Sequence, residues 1–262
     1  MITDLGPYPA YEDSGVEWLG EVPKGWKVRR LKHASEPLVN GIWGGDPDGI
    51  NDIACVRVAD FDRERLVVRT PVPTMRAITP AERDRRLLRR GDLLLEKSGG
   101  GEQQPVGVVV EYACDTPAIS SNFVARLRPR SGFVGKYLLY LHCTLYARRI
   151  NVRSIKQTTG IQNLDGDGYL GERVPLATTS EQVAIARFLD HVDSRVQRLT
   201  VRKERISGVQ RQSSLLGEYR TRLISDVVTG KLDVREAAAN LPDNPDADDP
   251  ALDERLEEVA AG

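Results

Sequence analysis

The chain has 262 residues, 40% of them hydrophobic and 29% charged, a balance that supports one or two domains with a hydrophobic core and excludes a peptide-sized scaffold. The longest apolar run, Tyr137 to Ala147, is too short for a bilayer, and the opening MITDLGPYPAYED lacks the basic start and apolar stretch of a secretory signal, so the expectation is a cytoplasmic protein without a membrane span. The net charge of −1 conceals a split: residues 237–262 hold eight acids and one base, leaving residues 1–236 with 36 bases against 30 acids.

Of the 37 basic residues 29 are arginine, the side chain that forks onto phosphate and onto the guanine edge, although a GC-rich coding sequence enriches arginine equally well. Cys55, Cys114 and Cys143 are odd in number and far apart, which suggests neither a disulfide framework nor a metal knuckle.

Residues 1–30 are turn-rich, with Tyr8, Tyr11, Trp18 and Trp26 spaced by Gly and Pro, and predict an extended lead-in pinned by its aromatics. Short apolar runs follow, broken by Gly, Pro and Asp: Ile53 to Val58, Leu66 to Val68, Asp92 to Glu96, Val106 to Tyr112 and Asn122 to Leu127 predict strands. Thr79 to Arg90 predicts a basic helix opening at Thr79 and Pro80, with Glu82 in its first turn and Gly91 as C-cap. Gly135 to Asn151 predicts a second helix, with Leu138, Leu139, Leu141, Leu145 and Ile150 on its apolar face. The predicted fold is a mixed α/β domain over residues 31–179, followed by a long coiled-coil-like helix over 180–235.

That helix is marked by the near-heptad seam Val192, Val196, Leu199, Ile206, Val209, Leu216, Leu223 and Val227, with a phase slip around Ser207 and Gly208 and a C-cap at Gly230. Read as continuous, it makes a rod of roughly 50 Å. The acidic residues 236–262 predict a disordered tail in which only Leu252 to Ala260 has helical character.

Catalytic parts do not assemble in the sequence. His33, His142 and His191 are far apart, and the latter two fall inside helical patterns. Asp165, Asp167 and Gly168 begin like a calcium loop, but Tyr169 and Leu176 stand where ligands are needed. Gly99, Gly100 and Gly101 are not followed by the Lys-Ser/Thr pair of a phosphate loop, and Glu96 and Lys97 are adjacent rather than spaced as in a nuclease set. No catalytic residue, bound metal or cofactor is expected on this chain.

Several segments in chain order carry a resemblance: YPAYEDSGVEWLGEVPKGWKVRRLK, RVADFD, GDLLLEKSGGGEQQPVG, SSNFVARLRP, QTTGIQNL, EQVAIARFLD and RLISDVVTGKLD. Together they resemble the specificity subunit of type I restriction-modification systems, the protein that chooses the DNA sequence for a methyltransferase and a translocating nuclease. The resemblance spans residues 8 to about 235, with VPLATTSEQ departing from the usual prolines before the EQ pair. It implies a target recognition domain and a spacer helix, double-stranded DNA as ligand, and methyltransferase and restriction subunits as partners, with S-adenosylmethionine, ATP and Mg held by those partners. Family members usually carry two recognition domains and two long helices, where this sequence shows one of each.

Candidate DNA contacts have two readings each. Lys97, Ser98, Gly99, Gly100, Gln103 and Gln104 form a polar tip between two apolar strands, either a reader in which Gln pairs with the adenine edge or a solvated turn. Ser121 and Asn122, leading to Arg126, either bind DNA or tie the strand start to its neighbours. Lys156, Thr158, Thr159, Gln162 and Asn163, after Arg149 and Arg153, have the mix of a phosphate clamp beside a base reader. Arg83, Arg85, Arg86, Arg89 and Arg90 read equally as a solvated helix face.

The seam calls for a partner helix, from a second copy in a homodimer or from another half-length chain, which would place two readers at opposite ends of a rod; the alternative is that the helix packs back on its own domain or on a methyltransferase. A different class of reading stays open: a coiled-coil interaction or anti-restriction protein that docks on the same partners without reading DNA.

Overall fold

The computed structural model describes residues 5–158, 160–207, 210–242 and 250–261. Along the chain run β1 (Tyr11–Asp13), β2 (Glu21–Pro23), β3 (Lys27–Arg30), β4 (Val39–Asn40), β5 (Asp52–Val56), β6 (Phe61–Asp62), β7 (Val67–Val68) and β8 (Met75–Ala77). Helix α1 (Pro80–Arg83), β9 (Asp92–Glu96), β10 (Ser98–Gly99), β11 (Val109–Tyr112), β12 (Ala118–Ser120), β13 (Val124–Leu127) and α2 (Gly135–Ala147) follow. After them come β14 (Ile155–Thr158), β15 (Ile161–Leu164), α3 (Gly166–Gly171), β16 (Arg173–Leu176), α4 (Thr179–Ser207), α5 (Gln210–Val228), α6 (Arg235–Ala239) and α7 (Pro250–Ala261). Among the described residues no helix is long and apolar enough to cross a membrane.

Two compact units emerge, Arg30–Arg173 and, separately, Met1–Arg29 with Val174–Gly262. The lead-in therefore groups with the C-terminal helices, a division that differs from the one drawn on sequence texture.

In the unit Arg30–Arg173 a six-stranded sheet has the order β4-β13-β9-β11-β7-β6, and a three-stranded sheet the order β12-β5-β8. Strand β9 is flanked by β11 and β13 on either side, with Leu95 opposite Val109 and Ala125. Its apolar run explains that central place: Leu93, Leu94 and Leu95 are all buried, each worth roughly 1.5–3 kcal/mol on leaving water. Leu94 joins Val56, Val110, Tyr112 and Val124 in the main core. Helix α2 packs on β9 and β11 with Tyr137 to His142 and Leu145 buried, nearly all round its circumference. His142 Nδ1 lies 2.6 Å from the hydroxyl of Tyr169, and burial pushes the imidazole down to about 3.

The basic helix expected over Thr79–Arg90 is only one turn long. Its start forms as the sequence suggests, with Thr79 and Glu82 in a capping box. Beyond Arg83 the chain is needed elsewhere: the amide of Leu88 donates to Ala118 O, and Arg126 and Arg128 donate to Leu87 O. These bonds hold buried Leu88 at the core. The strand expected from Val106 starts at Val109, because the Val106 amide donates to Gln162 Oε1 and its carbonyl accepts from Asn151 Nδ2.

In the other unit, β1 pairs with β2 and β3 with β16. The lead-in aromatics are fixed by named partners: Tyr8 packs edge-on against Trp26 at 5.6 Å, Trp26 Nε1 donates to Glu181 Oε1 at 3.2 Å, and Tyr11 Oη donates to Gly230 O at 3.0 Å. Gly230, at φ 78°, closes the end of α5 while its α-carbon touches Pro23: an added Cβ would stand 2.3 Å from that ring.

The predicted single rod is not what forms. Asp193 of α4 and Arg220 of α5 make an ion pair, yet 27 residues along one continuous helix span about 40 Å. The two helices fold back on each other, and Val192, Val196, Leu199, Leu216, Leu223 and Val227 of the seam are buried within the chain. The backbone of Ile206 is helical; its side chain and Val209 lie outside the described residues. The predicted disordered tail is also corrected in part: α7 packs on α4 and α5 with Leu256 fully buried and Asp253 on the buried Arg195 at 2.6 Å. An acidic helix with one apolar stripe finds a cation and an apolar seam to cover.

Candidate nucleic-acid interface

After Glu96 the chain leaves the large sheet. Glu96 itself is buried against Arg63, whose Nη2 donates to both carboxylate oxygens at 3.1 Å; burial raises the carboxyl and Arg63 opposes that shift. Strand β10 then pairs antiparallel with β15, Ser98 opposite Asn163 and Gly99 opposite Gln162, while β14 pairs with the other edge of β15, Lys156 opposite Asn163. Directly opposed residues share a face of a sheet. One face of this ribbon therefore presents Ser98, Asn163 and Lys156, with Ile161 two positions along.

Asn163, Ile161 and Lys156 are exposed, whereas Gln162 and Leu164 alternate inward and are buried. Ser98 Oγ donates to Asn163 Oδ1 at 2.7 Å, and Lys97 Nζ donates to Asn40 Oδ1 at 2.7 Å. Two stretches of sequence separated by about fifty residues thus become one surface.

The loop after β10 is tight and braced. Gly99 and Gly100 take φ 117° and 59°, Gly101 N donates to Gln104 O at 2.9 Å, and a Cβ on Gly100 would meet Val106 N at 2.7 Å. Glu102, Gln103 and Gln104 project at the exposed tip. Behind it, Arg149 reaches the carbonyls of Glu102 and Gln103 at 3.5 and 3.4 Å, Tyr146 Oη donates to Pro105 O at 3.1 Å, and Asn151 Nδ2 donates to Val106 O at 2.7 Å. The end of α2 and the turn after it hold the loop from one side.

A second turn adjoins. Ser121 is buried and Asn122 and Phe123 are exposed, and Phe123 O accepts from Lys97 N at 2.8 Å and Ser98 N at 3.3 Å. The sequence candidates therefore separate. Lys97, Ser98, Gly99, Gly100, Gln103, Gln104, Asn122, Arg149, Lys156 and Asn163 gather at this surface. Arg126 is only 7% exposed and spends Nη1 on Leu87 O at 2.9 Å, Ser121 gives its amide to Val56 O, and Gln162 faces Val106; these three hold the scaffold. Arg153 faces Glu172 at 3.8 Å. Thr159 and the side chain of Thr158 lie outside the described residues.

Of the arginine run, Arg83 donates to Ile78 O and Asn51 O, Arg86 to Glu82 O, and Arg90 pairs with Asp115. These three arginines hold local backbone or pair with an acid, while Arg85 and Arg89 are exposed. Sequence reasoning missed Asn40, Tyr146, Asn151, Phe123 and Ile161. The first three act through partners over 40 residues away, which no local pattern reveals; the last two look like ordinary strand residues.

Chemically the ribbon offers amide, hydroxyl and ammonium groups on a firm backbone. Its cations are partly matched, Lys156 with Asp165 at 2.7 Å and Arg153 with Glu172. The field is modest, and the arrangement is better suited to hydrogen-bond discrimination than to bulk attraction. Among the described residues no group of three or more His, Cys, Asp or Glu converges as for a metal ion.

No family model matches the chain, and neither does any curated protein. Solved structures do. An HsdS subunit from Thermoanaerobacter tengcongensis aligns at 19% identity and TM-score 0.47, over 85% of this chain and 48% of that one. A structure describing complex assembly and conformational transition of the type I R-M system aligns at 19% identity and TM-score 0.49, over 85% and 49%. The S subunit of a type I restriction-modification system from M. genitalium aligns at 15% and 0.44, over 73% and 44%. The chain spans about half the length of each of these chains.

Proposed function

We propose that the chain is a sequence-specific DNA-binding specificity subunit that directs methyltransferase and restriction subunits to a target site. One observation carries the reading: three separate segments of the resemblance converge on a single surface. GDLLLEKSGGGEQQPVG forms β9, β10 and the braced loop, SSNFVARLRP forms the adjoining turn and β13, and QTTGIQNL lies in the β14–β15 hairpin. Strand pairing of β9 with β13 and of β10 with β15 brings these segments together, and what they leave outward is a polar, exposed ribbon of the kind a base-reading surface needs. Glutamine and asparagine amides at the tip match the adenine edge, and Lys97, Lys156 and Arg149 supply cations for phosphates.

On this reading the chain carries no catalytic group, and S-adenosylmethionine, ATP and Mg belong to the partner subunits. The test is selection from a randomised duplex library by the chain produced together with a methyltransferase partner, alongside labelled methyl transfer by the chain alone. Enrichment of one motif and no transfer without the partner are expected. Absence of any enriched motif, or methylation by the isolated chain, would overturn the proposal.

A further inference from the structure

We infer that Phe123 is a specificity-determining wedge, an aromatic ring held out to enter a base step of the duplex. The inference rests on the DNA-reading function proposed above and adds a residue to it. Phe123 is 44% exposed at the tip of the turn Ser121–Val124. A ring in water costs hydrophobic free energy, and a mobile turn would be free to bury it.

This turn is held by backbone hydrogen bonds from several segments. Ser121 N donates to Val56 O at 2.8 Å, Val124 N to Ser121 O at 2.9 Å, Ile42 N to Ser120 O at 2.9 Å and Gly41 N to Val124 O at 3.0 Å. The carbonyl of Phe123 itself is fixed by Lys97 N and Ser98 N. Backbone from three other segments thus clamps a turn that leaves Asn122 and one apolar ring exposed. Among the described residues the other well-exposed large aromatic, Trp43, has its ring covered by the Arg76 guanidinium at 4.5 Å.

The neighbours say what the ring would meet. Its backbone bonds run to Lys97 and Ser98, and Ser98 pairs with Asn163 on the face that also carries exposed Ile161. An exposed apolar ring on a turn whose backbone adjoins an amide-bearing ribbon is the composition of a groove contact in which a side chain parts stacked bases. An aromatic side chain has only two χ angles to fix on insertion. The step it enters would be a pliable one, pyrimidine followed by purine.

The experiment uses the duplex selected by the wild-type chain with its methyltransferase partner, carrying 2-aminopurine at each position in turn, with Phe123→Ala and Phe123→Trp compared. Wild type should raise emission several-fold at one position besides the base that the methyltransferase itself flips. Phe123→Ala should abolish that rise, relax selection at that step and weaken binding about ten-fold, with an unchanged melting temperature; Phe123→Trp should retain the rise. If Phe123→Ala keeps both motif and emission, the wedge is wrong while DNA reading stands. If wild type selects no motif at all, both fall together.

Discussion

Gly41 stands so close to Ser121 that a Cβ added to it would lie 2.2 Å from the Ser121 carbonyl oxygen and equally near that of Ser120. The contact is backbone on backbone, and Gly41 N and Ile42 N at the same place donate to Val124 O and Ser120 O. A strand edge and the turn that carries Asn122 and Phe123 are thereby locked without any side chain between them. The exposed tip inherits its position from a glycine 80 residues earlier.

Gly41→Ala should therefore be among the most damaging single-methyl additions in the chain. Neither carbonyl can retreat without breaking its ladder, so a loss of about 3 kcal/mol or more is expected. Gly101, whose Cβ would meet nothing within 4 Å, is the control, and Gly101→Ala should cost under about 1 kcal/mol. Urea denaturation followed by circular dichroism compares them; equal midpoints would contradict the packing described.

The loop and the ribbon should respond differently to substitution. Gln103→Ala or Gln104→Ala should change the selected motif at one position by about 1–3 kcal/mol of discrimination and leave the salt dependence alone. Lys156→Ala should keep the motif and lower the slope of log affinity against log salt by about one. Arg149 holds two loop carbonyls, so Arg149→Ala should move both motif and slope rather than weaken all sequences alike. Selection and titration from 50 to 200 mM salt would separate the three; identical behaviour of all variants would remove the loop from the reading surface.

Legibility followed the range of the interactions involved. Asp92 to Glu96 was readable to the residue, because a fully buried strand needs an unbroken apolar run. Helix α2 was readable for the same reason, short only of the 3-10 turn Ile150–Ser154 that takes over after Arg149 turns left-handed at φ 58°. The β14–β15 hairpin was read only as a polar stretch, since its outward residues are Lys, Thr, Asn and one Ile and its inward Gln162 is polar too. Polarity at Arg126 and Gln162 left a DNA contact and a scaffold bond both open, because sequence cannot show that Leu87 O and Val106 N need those donors and acceptors.

Stability should fall with acid through His142. Burial holds its imidazole neutral and pushes its pKa down to about 3, against about 6.5 in the unfolded chain. The unfolded state therefore takes up the proton first, so this contribution is whole above about pH 6.5 and is lost as pH falls toward 3, by up to about 1.4 kcal/mol per pH unit. Between pH 7 and 5 the wild type should lose roughly 2 kcal/mol by this route. His142→Asn keeps a partner for the Tyr169 hydroxyl without titrating, and its unfolding free energy should drop by that much less over the same interval. Parallel pH profiles would show that His142 is not held neutral.

The fold-back of α4 on α5 replaces a second copy as the cover of the helical seam, and its geometry makes a decisive test. Asp193 meets Arg220; a symmetric antiparallel pair of unbroken helices with its twofold axis midway between these positions would bring the same two residues together, but between chains. Contacts alone cannot separate the two arrangements, and connectivity can. Asp193→Cys with Arg220→Cys, in a background where Cys114 and Cys143 are serine and buried Cys55 is left in place, supplies two thiols on facing helices. A short bifunctional maleimide should join them within one chain, giving a monomer of altered, looped-chain mobility on a denaturing gel at every protein concentration. Each single-cysteine control should keep the mobility of the unreacted monomer. A product of twice the monomer mass, growing with concentration, would restore the paired rod and make the buried Val196, Leu199, Leu216 and Leu223 the seam between two copies.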